Sequence, residues 1–489
     1  MADEPEAGPT PAQRGLGDME PSEFRDAAHD VADRVADYLA GLERYRVLPA
    51  IEPGTVRAAL PEAPPAEPEP LGAILDDYAR WIEPNITHWQ HPGFMAYFNS
   101  VASGPGILGE WLSAALNSNV MLWRNAPAST ELEERVVAWL RQMLGLPADF
   151  DGMLTDTASI SSLLALTAAR HVVPGLDARD EGLAGRPGLA RLRLYASAEA
   201  HSSIDKAAIV TGIGRAGVRR IETDAEYRMR PAALEAALVE DRAAGWLPYC
   251  VVATLGTTSS TSVDPVAAIA AICRREKLWL HVDAAYGGAA AIAPELRPAF
   301  AGWEQADSIV FNPHKWMFTP FDASLLLFRD PEAFRGAFSL VPEYLRTPET
   351  GAHNFNEYGV QLGRRFRALK LWMHIRWFGV EGIAARIREH CRLARELAEW
   401  IAADPDWELL APVPFSVVCF RFRGAPAAEL DRINEAILAA VNRGGRFYLS
   451  HTRLAGRLTL RVALGNPRAT AAHVAGCWQA LREAAGEVS

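Results

Sequence analysis

Short apolar runs alternate with helix-like stretches along the middle of the chain, and this alternation strongly limits the fold. The runs are rich in β-prone residues and lie at Leu192–Ala196, Tyr249–Ala253, Leu278–Val282 and Ser308–Phe311. Helix-like stretches, such as Ser129–Leu144 and Ser159–His171, accompany them. This alternation is typical of a mostly parallel sheet with helices on both faces. We therefore predict an α/β fold.

The length of the chain predicts more than one structural region. Its 489 residues exceed what a single hydrophobic core usually holds. Residues 1–103 are predicted to form an arm, in which a helix from Ser22 precedes a proline-rich stretch. Since this arm cannot bury the apolar face of its helix alone, we expect it to pack on another part of the molecule or on a second subunit. Residues 104–369 are predicted to form a large α/β domain.

Residues 370–489 are predicted to form a small α+β domain, because helical and strand-like stretches both occur there. These stretches are Gly382–Ile401, Ser416–Phe422, Arg457–Ala463 and Ala472–Ala485. The two strand-like runs alternate less regularly with helices than those of the large domain, which argues for a separate architecture.

Charge and cysteine content exclude several functional classes. The formal net charge of −11 argues against a protein that binds nucleic-acid phosphates. No apolar run reaches about 18 residues, and the first residues lack the features of a signal peptide. The five cysteines are widely spaced and form no C-x-x-C pair, which argues against a disulfide scaffold or a zinc site. We expect a cytoplasmic protein without a membrane or nucleic-acid partner.

Two motif-like patterns are interpreted as structural. Residues 212–217 match G-x-G-x-x-G, but a predicted helix precedes them and a predicted strand follows, the reverse of a dinucleotide site. His88 and His91 form an H-x-x-H pair, whereas metal sites usually need three or more ligands. We expect a packed or pocket-lining histidine pair and no metal.

Polar residues follow the predicted strands, at the sheet edge where α/β proteins bind ligands. These residues are His201, Thr257, Thr258, Asp283, His314 and Lys315. Lysine is scarce, and its four positions are Lys206, Lys277, Lys315 and Lys370. Lys315 lies just past a strand end, where apolar neighbours would lower its pKa and make the amine nucleophilic. A solvated loop cation is the alternative for Lys315 taken alone.

A lysine and a buried aspartate in an α/β fold are what pyridoxal phosphate (PLP) requires. The lysine forms a Schiff base with the cofactor, and the aspartate keeps the pyridine nitrogen protonated so that the ring accepts electrons. Lys315 and Asp283 are the candidates. The residues 156–159 precede a helical stretch whose N-terminus would bind the phosphate, although an ordinary helix cap is the alternative. His201 could stack on the ring, or be a structural histidine.

Seven stretches, in order and with similar spacing, resemble the group II PLP-dependent decarboxylases, most closely the aromatic-L-amino-acid decarboxylases. They are His91–Phe98, Pro127–Glu133, Ala200–Ser203, Thr254–Thr258, His281–Tyr286, Asn312–Trp316 and Leu362–Arg367. The resemblance implies the aspartate-aminotransferase-like fold (fold type I), with a mostly parallel seven-stranded sheet in the large domain. It also implies a homodimer with active sites at the subunit interface, around which the N-terminal arm would wrap.

The resemblance also implies roles for single residues. Lys315 would carry the cofactor, Asp283 would pair with the ring nitrogen, and His201 would stack on the ring. Further cofactor-binding positions would be Thr157, Ala158, Ser159, Thr258, Ala285, Asn312 and His314. Tyr344, on a loop, would return a proton after carbon dioxide leaves. The substrate pocket would be lined by Trp89, Tyr97, Phe98, Asn119 and Met121, the last two matching a partner-subunit wall. Plain core packing is the alternative for the three aromatic residues.

The implied reaction is decarboxylation of an L-amino acid to the amine and carbon dioxide, and an aromatic amino acid is the favoured substrate. Tyr344 favours it over the aldehyde-forming route of relatives that carry phenylalanine there. The pocket departs from the family pattern at Asn99, Asn119 and Met121, which leaves the exact substrate open. Alternatives are another PLP reaction on this fold, such as aldehyde synthesis, transamination or decarboxylation of a non-aromatic amino acid. A non-catalytic interaction protein is a further alternative, although the fold alone does not require Lys315 and Asp283.

Overall fold

The computed structural model describes residues 17–340, 342 and 351–488, and the chain divides into two compact units, Met1–His91 and Pro92–Ser489. Within its described residues, 17–91, the first unit contains three α-helices, α1 (Pro21–Ala40), α2 (Thr55–Ala59) and α3 (Leu71–Asp77). Helix α1 begins at a proline, which suits the first helical position. None of its residues is buried, and Phe24 is 55% exposed. The domain boundaries at residues 103 and 369 stay predictions.

His88 is a packed residue of the first unit. Its Nδ1 lies 3.0 Å from the Tyr38 hydroxyl, and its ring centre lies 4.5 Å from that of Tyr45. Its backbone N–H donates to the carbonyl of Val47 at 2.9 Å. These contacts give His88, the first histidine of the H-x-x-H pattern, a structural role in packing and hydrogen bonding.

The second unit contains the predicted seven-stranded sheet. Its strands are β1 (Asp151–Thr155), β2 (Arg191–Ser197), β3 (Val218–Ile221), β4 (Trp246–Thr254), β5 (Trp279–Asp283), β6 (Ser308–Phe311) and β7 (Ser324–Phe328). Their order across the sheet is β1-β7-β6-β5-β4-β2-β3. Strands β2 to β6 pair in parallel, whereas β7 runs antiparallel to both of its neighbours. The prediction of a mostly parallel sheet is confirmed.

Helices cover this sheet, so its central strands are buried along their whole length, as parallel sheets require. The helices of this part of the chain are α4 (Gly104–Leu116), α5 (Pro127–Met143), α6 (Ala158–His171), α7 (Ser203–Val210), α8 (Pro231–Ala243), α9 (Val266–Glu276) and α10 (Pro331–Phe338). Of these, α5, α6, α8 and α9 pack on the strands. Helix α6 begins at Ala158, one residue earlier than the stretch predicted from the sequence. It packs against the central strands, and its N-terminus lies where β1 ends.

A four-stranded antiparallel sheet forms the C-terminal part, in the order β10-β11-β9-β8. Its elements are α11 (Ala368–Ala403), β8 (Trp407–Leu409), β9 (Val417–Phe422), α12 (Leu430–Gly444), β10 (Ser450–Leu454), β11 (Arg457–Ala463) and α13 (Ala471–Val488). The predicted helix at 382–401 is the second part of α11, which is interrupted at Gly379, where φ is 65°. The α+β prediction is correct, although β8, β10 and α12 were not anticipated.

The glycines of residues 212–217 connect a helix to a strand, as predicted. Helix α7 ends at Val210 and β3 begins at Val218. Gly212 and Gly214 have φ values of 78° and 73°, in the left-handed region that favours glycine. This order does not fit a dinucleotide site. No helix in the described part of the chain combines the length and the apolar character that a membrane crossing needs.

Candidate active site

A cavity of about 440 Å³ lies at the carboxyl edge of the seven-stranded sheet. Thr254 and Asp283 end β4 and β5 beside it, and Lys315 follows β6. Because parallel strands end at the same edge, residues distant in sequence meet here. The predicted residues that line the cavity are Tyr97, Phe98, Thr157, Ala158, Ser159, His201, Thr258, Asp283, Ala285, Asn312, His314 and Lys315.

Lys315 lies in a low-polarity environment close to a carboxylate. Burial lowers the pKa of its ammonium group, Asp283 raises it, and Arg461 lowers it further. Asp283 is only 6% exposed, and its Oδ1 accepts the backbone N–H of Ala285 at 3.0 Å. An amine with a lowered pKa loses its proton more easily and can attack a carbonyl carbon. The site thus combines a nucleophilic amine with a buried carboxylate.

Stacked aromatic rings form one wall of the cavity. The ring of Phe98 lies 3.9 Å from that of Tyr286 at an angle of 12°, and Tyr286 stacks on Trp316 at 5.0 Å. The Nζ of Lys315 lies 5.2 Å from the centre of the Phe98 ring. Buried hydrogen bonds fix this stack, since the Trp316 indole N–H donates to His390 at 3.0 Å. The wall is therefore rigid, and Phe98 presents a flat apolar surface beside the lysine.

His201 has a defined tautomer. Its Nδ1 accepts the backbone N–H of Ser203 at 3.1 Å and lies 2.9 Å from the hydroxyl of the same residue. The neutral ring therefore carries its proton on Nε2. Desolvation lowers the pKa of His201, Asp283 raises it, and Lys315 lowers it. A neutral, oriented imidazole suits a residue that stacks on a planar ring or holds a proton at Nε2.

The cavity residues around the start of α6 offer hydrogen-bond donors to an anion. Helix α6 begins there, and its first backbone N–H groups have no partner within the helix. The Nδ1 of His314 accepts the backbone N–H of Ala323 at 2.9 Å, so the neutral ring donates through Nε2. Burial lowers the pKa of His314 to about 3, which keeps it neutral. The side-chain oxygen of Asn312 is buried and has no hydrogen-bond partner among the described residues.

Asp283 is supported from beneath by buried hydrogen bonds around His281. The Ser308 hydroxyl lies 2.9 Å from both the Trp279 indole nitrogen and His281 Nδ1. His281 Nε2 lies 3.2 Å from the Ser162 hydroxyl of α6. Burial lowers the pKa of His281 to about 4, so the ring is neutral and offers one donor and one acceptor. This network connects β5, which carries Asp283, to the helix whose N-terminus lies at the cavity.

A buried ion pair fixes β1 to helix α5. Glu133 is fully buried, and it accepts hydrogen bonds from the Arg364 guanidinium at 2.5 Å and from the backbone N–H of Leu154 at 2.9 Å. Arg364 also donates to the carbonyls of Leu154 and Val120 at 2.7 and 2.9 Å. Two of the stretches that carry the family resemblance therefore meet in space, and their polar residues have a structural role.

Arg461 lines the cavity and was not anticipated from the sequence. Only 4% exposed, it donates to the carbonyl of Ser259 at 2.9 Å and lies 4.7 Å above the Phe98 ring. No carboxylate lies within ion-pair distance of it in the described part of the chain. Burial lowers its pKa. It lies on β11, and a position inside a strand of a second sheet carries no sequence signal of proximity to Lys315.

Asn119 and Met121, two predicted pocket residues of the second unit, do not line the cavity. Asn119 accepts the backbone N–H of Arg364 at 2.9 Å, and Met121 lies two residues further along, outside the lining. Their predicted contact is with a second subunit, and it stays a prediction. Trp89 belongs to the first unit and is 37% exposed. Tyr344 lies outside the described residues.

The chain matches known proteins over most of its length. The model of the pyridoxal-dependent decarboxylase conserved domain matches residues 53–423. The chain belongs to the pyridoxal-dependent decarboxylase family. It is 39% identical to aromatic-L-amino-acid decarboxylase from Sus scrofa, over 96% of this chain and 98% of that protein. It is also 39% identical to phenylacetaldehyde synthase from Arabidopsis thaliana, over 96% and 97% of the two chains.

A solved structure agrees over the same length. The crystal structure of Oryza sativa TDC with PLP and tryptamine superimposes with a TM-score of 0.92, at 34% identity, over 96% of this chain and 99% of that chain. The fold is therefore that of the PLP-dependent decarboxylases, fold type I, as the resemblance implied. The chain is a PLP-dependent amino-acid decarboxylase, a carboxy-lyase.

The residues of the cavity fit pyridoxal phosphate. Lys315 offers the amine, Asp283 the carboxylate, and the buried amide of Asn312 a polar group still without a partner. Ala158, Ala285 and Val310 form a small apolar cluster beside them, which leaves room for a flat ring. When bound, this cofactor withdraws electrons from the bond that breaks at the substrate's α-carbon.

Proposed function

We propose that this enzyme decarboxylates an aromatic L-amino acid to the corresponding amine and carbon dioxide. The observation that carries the proposal is the meeting of Lys315, Asp283 and the half-buried Phe98 ring in one cavity. A flat apolar wall next to the reactive amine suits an aromatic side chain better than a charged one. One relative, 39% identical over 96% of this chain, is an aromatic-L-amino-acid decarboxylase, which supports this substrate class.

Each residue of the proposed active site has its own role in the reaction. Lys315 would hold the cofactor through its amine and give way to the substrate's amine, and Asp283 would keep a proton on the ring nitrogen. His201 would stack on the ring and orient the substrate. The phosphate and the remaining ring atoms would be held by Thr157, Ala158, Ser159, Thr258, Ala285, Asn312 and His314. Tyr344 would return a proton to the α-carbon, as the resemblance implies. Tyr97 and Phe98 contact the aromatic side chain.

Arg461 would form an ion pair with the substrate's carboxylate. A buried guanidinium without an acidic partner costs free energy, and a carboxylate ligand relieves that cost. Since Arg461 and Lys315 both lie over the Phe98 ring, at 4.7 and 5.2 Å, a substrate bound by its carboxylate has its amine near Lys315.

Aldehyde synthesis is the second candidate. It is favoured by the 39% identity to phenylacetaldehyde synthase from Arabidopsis thaliana, which equals the identity to the decarboxylase from Sus scrofa. The two activities differ in products, because an aldehyde route also releases ammonia and consumes oxygen. Stoichiometric amine with no ammonia supports decarboxylation, whereas ammonia in proportion to carbon dioxide supports the synthase.

A homodimer with active sites at its interface is part of the proposal. Helix α4 exposes a row of apolar side chains, including Leu108, Leu112 and Leu116, which are 52%, 53% and 65% exposed. An apolar helix face of this kind favours burial against a second copy. Asn119 and Met121 follow this helix and would then contribute to the partner's pocket. A cytoplasmic location is consistent with five cysteines that are all free and buried.

The test is the visible spectrum of the purified protein together with assayed products. We expect an absorbance band from bound PLP, and release of carbon dioxide from L-tryptophan, L-tyrosine or L-phenylalanine but not from L-glutamate. Lys315→Ala removes both, whereas Lys206→Ala, at an exposed lysine, retains both. A band without carbon dioxide from any aromatic substrate would refute the proposed substrate class. A protein that never acquires the band would refute the role of Lys315.

A further inference from the structure

Tyr97 lines the active-site cavity with a backbone conformation that is rare for tyrosine. Its φ is 52°, in the left-handed region, where a bulky side chain is strained. The residue is 51% exposed, so burial in a core does not hold it there. Strained residues persist where neighbouring groups fix them, and they cluster at functional sites. The contacts that hold Tyr97 therefore bear on the substrate pocket.

The backbone of Tyr97 is held by the four-stranded C-terminal sheet. Its N–H donates to the hydroxyl of Ser450 on β10 at 3.2 Å, and its carbonyl accepts the guanidinium of Arg461 on β11 at 2.5 Å. The residues before it run beside the same sheet, since the N–H of Met95 donates to the carbonyl of Tyr448 at 2.9 Å. These bonds fix the main chain, but they leave the Tyr97 ring free to change rotamer.

Tyr448 supplies a contact to the ring itself. Its hydroxyl lies 3.0 Å from the Tyr97 hydroxyl, and the two ring centres lie 5.9 Å apart at an angle of 71°. This edge-to-face arrangement is a favourable one for aromatic rings. Burial and the hydrogen bond with Tyr97 raise the pKa of Tyr448 to about 12, so its hydroxyl keeps its proton at neutral pH. Tyr448 thus holds the far end of the Tyr97 side chain.

Tyr448 is itself fixed, and it does not line the cavity. Its N–H donates to the carbonyl of Gly93 at 3.0 Å. Its ring packs edge-on against Phe94, which is fully buried, with the ring centres 5.6 Å apart. Tyr448 can therefore act on a substrate only through Tyr97.

We propose that Tyr448 is a positioning residue of the substrate pocket, whose hydroxyl holds the Tyr97 ring at the active-site cavity. The fixed ring offers the substrate's aromatic side chain a contact that costs little conformational entropy on binding. Without the hydrogen bond the Tyr97 side chain gains rotamers, and the substrate has to order it again. This role rests on the proposed function, in which the substrate is aromatic. Because the ring contact is made before and during the reaction alike, it lowers KM and leaves kcat unchanged.

The test compares Tyr448→Phe with the unaltered PLP-loaded enzyme. We expect KM for L-tryptophan and L-tyrosine to rise about threefold or more at unchanged kcat, as for the loss of a neutral hydrogen bond. The visible band of bound PLP should be retained. Tyr45→Phe is the matched control, because it removes a tyrosine hydroxyl that donates to Glu83 outside the cavity, and it should leave KM unchanged. An unchanged KM in Tyr448→Phe, or loss of the band, would overturn the proposal.

A double-variant cycle shows whether Tyr448 acts through Tyr97. Tyr97→Phe removes the same hydrogen bond from the other side. Adding Tyr448→Phe in that background should therefore raise KM no further. Effects of the two substitutions that multiply would show that the tyrosines act independently, and the proposed positioning role would be wrong.

Hydrogen exchange, followed by mass spectrometry, measures the anchoring without turnover. In Tyr448→Phe the amides of residues 93–98 should exchange about threefold faster, because loss of the hydrogen bond lowers the free energy of local opening. The same amides should exchange at the original rate in Tyr45→Phe. Faster exchange in an enzyme that decarboxylates no aromatic amino acid would support the anchoring of Tyr97 and refute the proposed substrate class. Unchanged exchange in Tyr448→Phe would overturn the anchoring itself.

Discussion

Arg461→Met tests the proposed anchoring of the substrate's carboxylate. Methionine fills similar space over the Phe98 ring but offers no charge and no N–H group. The arginine is 4% exposed, so its interaction with a carboxylate is weakly screened by water. A hydrogen bond to a charged group contributes about 1.5–3 kcal/mol. Loss of this contact therefore predicts a KM that rises roughly 10- to 150-fold.

The effect on kcat separates binding from chemistry. The carboxylate loses its charge as carbon dioxide forms, so an ion pair to Arg461 is weaker in the transition state than in the bound substrate. We therefore expect kcat to stay unchanged or to rise, and not to fall, while KM rises. Carbon dioxide release at graded concentrations of L-tryptophan and L-tyrosine measures both constants, with the visible band as the measure of loaded enzyme.

A second variant at another buried arginine tests whether the rise in KM is specific to Arg461. Arg421→Met removes another buried arginine, 3% exposed, from the neighbouring strand β9, where it pairs with Asp431 at 3.1 Å. It does not line the cavity, so its KM should be unchanged. A kcat that falls about tenfold or more at constant KM in Arg461→Met would refute carboxylate binding and indicate that Arg461 positions Phe98 instead.

Three further outcomes concern stability. Glu133→Gln leaves the buried Arg364 without its carboxylate and should lower the free energy of unfolding, measured by urea titration, by about 3 kcal/mol. The control Glu240→Gln breaks an exposed ion pair and should lower it by less than about 1 kcal/mol. Equal losses in the two variants would contradict the reasoning. Ser308→Ala removes the shared partner of Trp279 and His281 and should cost about 2 kcal/mol in the same titration, and a neutral effect would show that the network carries no stability. Burial lowers the pKa of His281 and His390 to about 4 and of His314 and His374 to about 3. Because the unfolded chain takes up these protons below about pH 6.5 and the folded chain does not, the free energy of unfolding should fall by about 2 kcal/mol per histidine between about pH 6.5 and 5. His374→Gln should make this fall shallower, and an unchanged slope would refute the assignment.

The alternation of apolar runs predicted the parallel part of the sheet because those strands are buried on both faces. Strands such as Ser308–Phe311 are continuous apolar runs, which a single sequence displays directly. Strand β10 (Ser450–Leu454) was missed because it contains serine, histidine, threonine and arginine, and only its last residue is buried. Its pairing with β11, rather than its own composition, makes it a strand.

The candidate site was predictable where its residues follow strand ends. His201, Asp283 and Lys315 each follow or end an apolar run, and the topology brings them to one edge. Arg461 was not predictable, since its neighbours in sequence are apolar and its place at the cavity depends on how β11 packs beside Tyr97 and Ser259. The family resemblance supplied Tyr344 and the phosphate positions, which composition and periodicity alone left open.

The antiparallel strand β7 has a consequence for synthesis of the enzyme. It lies between β1 and β6 and pairs Thr155 with Ser324, so β1 joins the sheet through a partner formed much later in the chain. The closure of such a long loop is costly and slow, and it must wait until β7 has left the ribosome. Until then β1, which leads directly into the start of α6, has no strand to pair with. A nascent chain should therefore be unable to retain PLP before about residue 330 has emerged, so cofactor loading would mark the completed sheet.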